Sequence, residues 1–290
     1  MPLYIIMILF ACVLFAAGGV MQKHGIAANF PKLGGRTILR QWKTILRTVL
    51  TNWVWVAGTL LVFAGWIFHF QSLGMGDISV VQPLFNVQIL MVVLVGVLVL
   101  REKVRTVEYA GIAVLLAGAM VLSLSAEEVA PAAMRTWVLL ALTAVFFVVI
   151  AALGVMLNRR REGSSFEVAL AAVGGLLVGL NAVYMKATTV SVTLARRDFD
   201  LTTAGSWLGV LTCPYFWAVA VLGLTATAVI QWAYSHGRAA VAIPVINTVQ
   251  MVVPIIAGVA VFSESLPAAR VAGIAVIAAG TLILNRVPEA

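Results

Sequence analysis

Polar side chains set inside long apolar runs are where this chain could do chemistry. Gln82, Asn86 and Gln88 surround Pro83 in one such run, and Asn247, Thr248 and Gln250 follow Pro244 in another. On a helix, Gln82 and Asn86 share a face at i,i+4, and Asn247 and Gln250 share one at i,i+3. An unpaired polar group in hydrocarbon costs several kcal/mol. Such amides therefore either line a polar cavity or tie helices together, where each contributes about 0.6–2 kcal/mol. Proline also frees backbone carbonyls, so each run offers a polar solute both amides and carbonyl oxygens.

Other candidates stand in neighbouring runs. Trp66 and His69 precede Gln82, and Gln231 and Tyr234 precede Asn247. The aromatic rings fit a substrate wall or plain packing. Asn181 is a further amide. Lys23 and Lys186 fall at run ends, where a long side chain either snorkels to the interface or turns inward toward an anionic group. Glu102 and Glu264 end two matching runs; they are possible metal ligands, or else helix caps and ion-pair partners. No Asp or Glu stands in the middle of a run, so the buried carboxylate of a proton-coupled cation antiporter is not expected. Metalloprotease, hydrolase-elbow and nucleotide-loop motifs are absent, and His24, His69 and His236 are scattered. The chain is not expected to be an enzyme or to carry a cofactor.

These residues are positioned by membrane helices. The sequence is 62% hydrophobic and 10% charged, with mean hydropathy +1.07, well outside the range of soluble domains. Nine runs approach the length that spans a bilayer: about 3–21, 52–72, 78–100, 107–125, 136–157, 166–188, 213–235, 240–262 and 270–285. The first lacks a basic flank and a small-residue cleavage site, which predicts a retained helix. The net charge of +8 reflects topology, not nucleic acid. Arg135, Lys186, Arg196, Arg197 and Arg270 fall on one side and the remaining Lys and Arg on the other. The N-terminus is then outside and the C-terminus cytoplasmic, in a multi-pass plasma-membrane chain. Cys12 and Cys213 are too far apart to imply a disulfide framework or a metal motif.

The runs also repeat. Residues 69–118 return in altered form at 230–280. Gly76 matches Gly237, Pro83 matches Pro244, Gln88 matches Gln250, Glu102 matches Glu264, and GIAV at 111 matches GIAV at 273. Counted from proline Asn86 matches Asn247, whereas counted from Gln and Glu it matches Thr248. Corresponding spans are five crossings apart, so the copies are antiparallel, an arrangement of secondary transporters. The expected organisation is a first inverted repeat at 1–125, a connector span at 126–165 and a second repeat at 166–290. Residues 22–51 form a basic connector. Within 32–47 its cations recur every three or four residues, which predicts an amphipathic helix on anionic headgroups. The connector 189–212 is expected to pack at the rim.

The segments ISVVQPL, VLVLREKV and GIAVLLAG, with AVAIPVINTVQ, VFSESL and GIAVIAAG, resemble the drug/metabolite transporter superfamily in the broad EamA-like sense. The resemblance implies an all-α membrane protein moving a small polar metabolite or drug by alternating access. Most members have ten helices. The nine-helix layout here, with Gln22-Lys23-His24 ending the first run, is similar to NIPA-type magnesium transporters and leaves a Mg²⁺ path open. The basic connector leaves open a third function, a lipid flippase or scramblase. Partners are then a small molecule or ion and the bilayer; a dimer is compatible, and the substrate is not legible.

Overall fold

The computed structural model describes residues 2–29, 51–91, 106–125, 134–159, 164–196, 203–236 and 239–285. Every regular element among them is a helix. In chain order these are α1 (Leu3–Asn29), α2 (Trp53–Met75), α3 (Ile78–Phe85), α4 (Thr106–Leu124), α5 (Thr136–Arg159), α6 (Ser164–Arg196), α7 (Ala204–Thr212), α8 (Pro214–His236), α9 (Ala239–Ala260) and α10 (Ala268–Asn285). After a turn at Asn86, α3 resumes and runs to Met91.

Among the described residues, five helices are long and apolar enough to cross a membrane: Leu3–Gln22, Trp53–Met75, Thr136–Leu157, Ser165–Ala195 and Ala242–Ala260. Gly205–Thr212 and Pro214–Ile230, bent by 71°, pass as one further broken span. Ile78–Met91, Tyr109–Leu124 and Ala268–Leu284 are shorter apolar helices. This is a multi-pass membrane protein.

Local chemistry sets the helix ends. Asn52 caps α2, its side-chain oxygen accepting from the N–H groups of Val54 and Trp55 at 3.1 Å each. Cys213 is extended ahead of Pro214, the conformation proline imposes on its predecessor, and this makes the bend between α7 and α8. One expected boundary moves. The run at 166–188 does not stop there, because α6 continues to Arg196 and α7 occupies 204–212. The connector 189–212 is thus largely helical.

Small residues bring the helices together. Between α1 and α2, a Cβ on Gly18 would lie 2.6 Å from the Gly58 carbonyl, and one on Gly58 would lie 2.7 Å from that of Gly18. Gly175 and Gly179 of α6 pack the same way on Val249 and Val253 of α9. The α4–α10 pair is reciprocal. Gly118 abuts Ile277 and Gly280 abuts Leu115, while Gly111 abuts Leu284 and Gly273 abuts Leu122. Exchanging the two matched segments turns each contact into another. The expected amphipathic segment at 32–47 lies outside the described residues, apart from which α1 carries the preceding chain to Asn29.

Candidate functional site

α3 is the short helix on which two polar constellations meet, one at its head and one at its tail. The head begins after Gly76, where α2 stops. A Cβ on Gly76 would run into the ring of Tyr4, so only glycine lets α1 cover this turn. Asp77 occupies the N-cap position but makes no capping bond. Its carboxylate instead accepts from Arg270 Nη1 at 2.6 Å, in a pair buried on both sides. Arg270 also donates to the carbonyls of Ser265 at 3.0 Å and Ser125 at 3.5 Å.

The cap comes from far away in the sequence. Glu264 accepts from the Ile78 N–H at 2.8 Å and the Ser79 N–H at 2.9 Å, one with each carboxylate oxygen. Ser263, at φ 56°, turns the chain after α9, and the Glu264 N–H returns to the Gly258 carbonyl at 2.9 Å. A negative group at a helix N-terminus that its own N-cap residue leaves uncapped is favourable for both hydrogen bonding and dipole reasons. Burial pushes the Glu264 carboxyl above its ordinary range and Asp77 adds to this, against the pull of Lys186 and the Ser79 donors.

Lys186 completes the head. Its ammonium donates to the carbonyls of Leu73 at 2.7 Å and Gly76 at 2.6 Å, which α2 leaves open where it ends. It is buried in the body of α6, so it neither snorkels from a helix end nor stands among the central amides. Asp77, Glu264, Lys186 and Arg270 thus form a buried polar plug joining α2, α3, α6 and α10. The expectation of no buried carboxylate is corrected here: Asp77 and Glu264 are both buried, although at a bundle end and not mid-span.

At the tail of α3, Gln82 and Asn86 are buried. The Asn86 amide points its nitrogen at Met251 Sδ of α9, 3.3 Å away. On α9, Asn247, Thr248 and Gln250 are half-buried. Gln250 donates to Asn247 Oδ1 at 3.1 Å, and the Thr248 hydroxyl donates to its own helix at the Pro244 carbonyl, 2.8 Å. Gln88 is half-buried beyond the Asn86 turn. His69 is buried beside Gln82, its ring stacked on Phe85 at 4.6 Å and on Trp66 at 5.9 Å.

Other expected residues face elsewhere. Trp66 is 41% exposed and, with Asn181, lines a cavity of about 330 Å³ between α2, α6, α7 and α8, walled also by Phe63, Phe70, Trp207 and Phe216. Asn181 donates to the Val219 carbonyl of α8 at 2.6 Å. Gln231 and Tyr234 lie on α8 and Lys23 on α1, but their side chains are outside the described residues, as is Glu102. Among the described residues no group of three His, Cys, Asp or Glu side chains is placed to hold a metal. Asp77 and Arg270 are plug residues that sequence reasoning missed; charges beside turns in an apolar chain were the available signal.

No protein-family model matches the chain, and no solved structure matches it. A curated relative does: a protein named "uncharacterized transporter in cobO 3'region", from a Sinorhizobium species. It is 30% identical over 122 residues, covering 34% of this chain and 86% of the relative. The chain belongs to the family of that transporter. The match supports a transporter in general terms and is silent on substrate.

Proposed function

We propose that this protein is a secondary transporter of the drug/metabolite type, not an enzyme, moving a small polar metabolite or drug by alternating access. Its central site is the crossing of α3 and α9, with Gln82, Asn86, Asn247 and Gln250 as the recognising amides. The observation that carries this is the meeting of Asn86 with Met251 across helices of the two halves, beside the half-buried Asn247–Gln250 pair. Neutral amides suit a solute with mixed donors and acceptors. Two inverted halves are supported by the reciprocal glycine contacts of α4 and α10.

The head of α3 then acts as a closed gate. Segments around 76–79, Ser125, Arg135 and 261–270 gather there, with the Arg135 N–H on the Val261 carbonyl at 3.0 Å. On the positive-inside reading all of them lie outside, which makes this the outer gate. A Mg²⁺ path through Glu264 is less favoured, because both its oxygens already accept backbone N–H groups.

The test begins with thermal-shift screening of the purified protein against metabolites and divalent metals, followed by uptake of the stabilising compound into proteoliposomes. Replacing Asn86 and Asn247 together by Leu should abolish uptake while the protein still elutes as one folded species. Wild-type uptake in that double variant removes the site. A lipid-transport reading draws on the cavity at Trp66; lipid transfer between leaflets with no soluble substrate would favour it.

A further inference from the structure

His69 is 2% exposed in a membrane-spanning helix, and neither ring nitrogen has a partner in full hydrogen-bond geometry. Its surroundings are aromatic: Phe85 lies nearly parallel at 4.6 Å and 12°, Trp66 at 5.9 Å and 24°, and Phe15 perpendicular at 6.5 Å. Gln82, 3% exposed, is the polar neighbour of the ring, and its Oε1 likewise meets no donor in full hydrogen-bond geometry. Ser72, nearer the end of α2, likewise buries an unpartnered hydroxyl. Native cores rarely leave one such group unmatched, because each forfeits its hydration. Here they cluster on facing stretches of α2 and α3, between the plug and the central amides.

A neutral imidazole has one N–H and one lone pair; here neither meets a partner in full hydrogen-bond geometry, although Gln82 is close by. A second proton changes the balance. Both nitrogens then donate, Gln82 Oε1 is an acceptor beside them, and the faces of Trp66 and Phe85 attract a cation. We propose that His69 is the proton-binding site of the transport cycle, with Gln82 as the acceptor that holds the charged ring. The proton passes from hydronium to the lone pair of a ring nitrogen, releasing water and leaving imidazolium. The proposal rests on the transport reading above and names its coupling ion.

The geometry also gives the proton an effect. Leu73, whose carbonyl Lys186 holds, is one helical turn beyond His69. A positive ring there sets like charge against the Lys186 ammonium and so weakens the plug. Among the described side chains, the other titratable groups on elements packed against α2 are Tyr4 and Cys12 on α1, Asp77 and Glu264 at the head of α3, and Glu167 and Tyr184 on α6. Cys12 is engaged with the Phe85 carbonyl at 3.5 Å, Asp77 with Arg270 and Glu264 with α3.

The direct measurement uses the full chain in lipid nanodiscs with ¹⁵N-labelled histidine, the His69 signal being identified by its loss in His69→Gln. Followed from about pH 8 to about pH 4, the ring should become imidazolium. Gln82→Leu should move that midpoint down by about one pH unit or more, and Gln82→Glu should move it up. A ring that stays neutral throughout, or one midpoint shared by all three forms, overturns the proposal. The second arm compares wild type with His69→Gln in proteoliposomes, using the compound found by thermal shift. Accumulation driven by a pH gradient should fall about tenfold or more in the variant, while exchange without a gradient survives. Equal gradient-driven accumulation overturns the proton site and leaves transport standing. Titration as expected in a protein that moves nothing leaves the site and removes the transport reading.

Discussion

At the scale of single residues, the plug shows how buried charges depend on their partners. Asp77 and Arg270 are both buried, and their contact replaces two hydration shells with one short charge-assisted bond. Removing one partner strands the other: Arg270→Ala should lower stability by about 3–5 kcal/mol. Asp77→Asn combined with Arg270→Gln should cost less than the two single changes together, since the double variant leaves no unpaired charge whereas each single one does. Thermal unfolding in detergent across the four-protein cycle measures this, and strictly additive losses would mean the pair is not coupled. Sequence alone did not pair these residues. They lie 193 positions apart and stand at the edges of apolar runs, where periodicity carried no information about them. The amides stood out for the opposite reason: Gln82, Asn86 and Asn247 interrupt long apolar runs, where a polar group needs a purpose.

Among the elements, glycine decides how closely helices approach. A methyl group on Gly118 would sit 2.6 Å from the Ile277 backbone nitrogen, and one on Gly280 would sit 2.6 Å from that of Leu115. Backbone cannot yield as a flexible side chain can, so Gly118→Ala and Gly280→Ala should each destabilise by about 1–3 kcal/mol and by similar amounts. Gly19 and Gly154 face open space, and alanine there should change the melting temperature little. Unequal losses at Gly118 and Gly280 would argue against a reciprocal interface. These glycine motifs were visible in the repeat, whereas the end of α6 was misjudged. The apolar run fades near Thr188 and Thr189, which suggested a connector. Their hydroxyls instead donate back to carbonyls of their own helix, Tyr184 and Lys186, at 2.8 Å each, and Thr193 does the same to Thr189 at 2.9 Å. Threonine can thus hide its polarity inside a helix, and α6 runs on past Lys186, moving that lysine from an assumed end into the core.

For the whole molecule, the issue is which water each end meets. The proposed topology puts Glu264 outside and Glu102 inside. Single cysteines introduced at Ser263 and Lys103, in a chain whose own Cys12 and Cys213 are buried, should react with an impermeant thiol reagent from opposite faces of intact cells or oriented vesicles. Labelling of both from one side would exclude antiparallel halves. Composition was enough to read a multi-pass helical membrane protein, because hydrocarbon admits few alternatives. Helix partners and plug residues were not readable, since they depend on contacts between segments far apart in the chain.

The borrowed cap has a consequence for biosynthesis. Ile78 and Ser79 leave the ribosome long before Glu264, 186 positions ahead of it in the case of Ile78. Until that late loop arrives, the first turn of α3 has no carboxylate for its amide hydrogens, and Asp77 has no arginine. The early half of the protein must therefore wait in the bilayer, incomplete, for a single glutamate made near the end of translation.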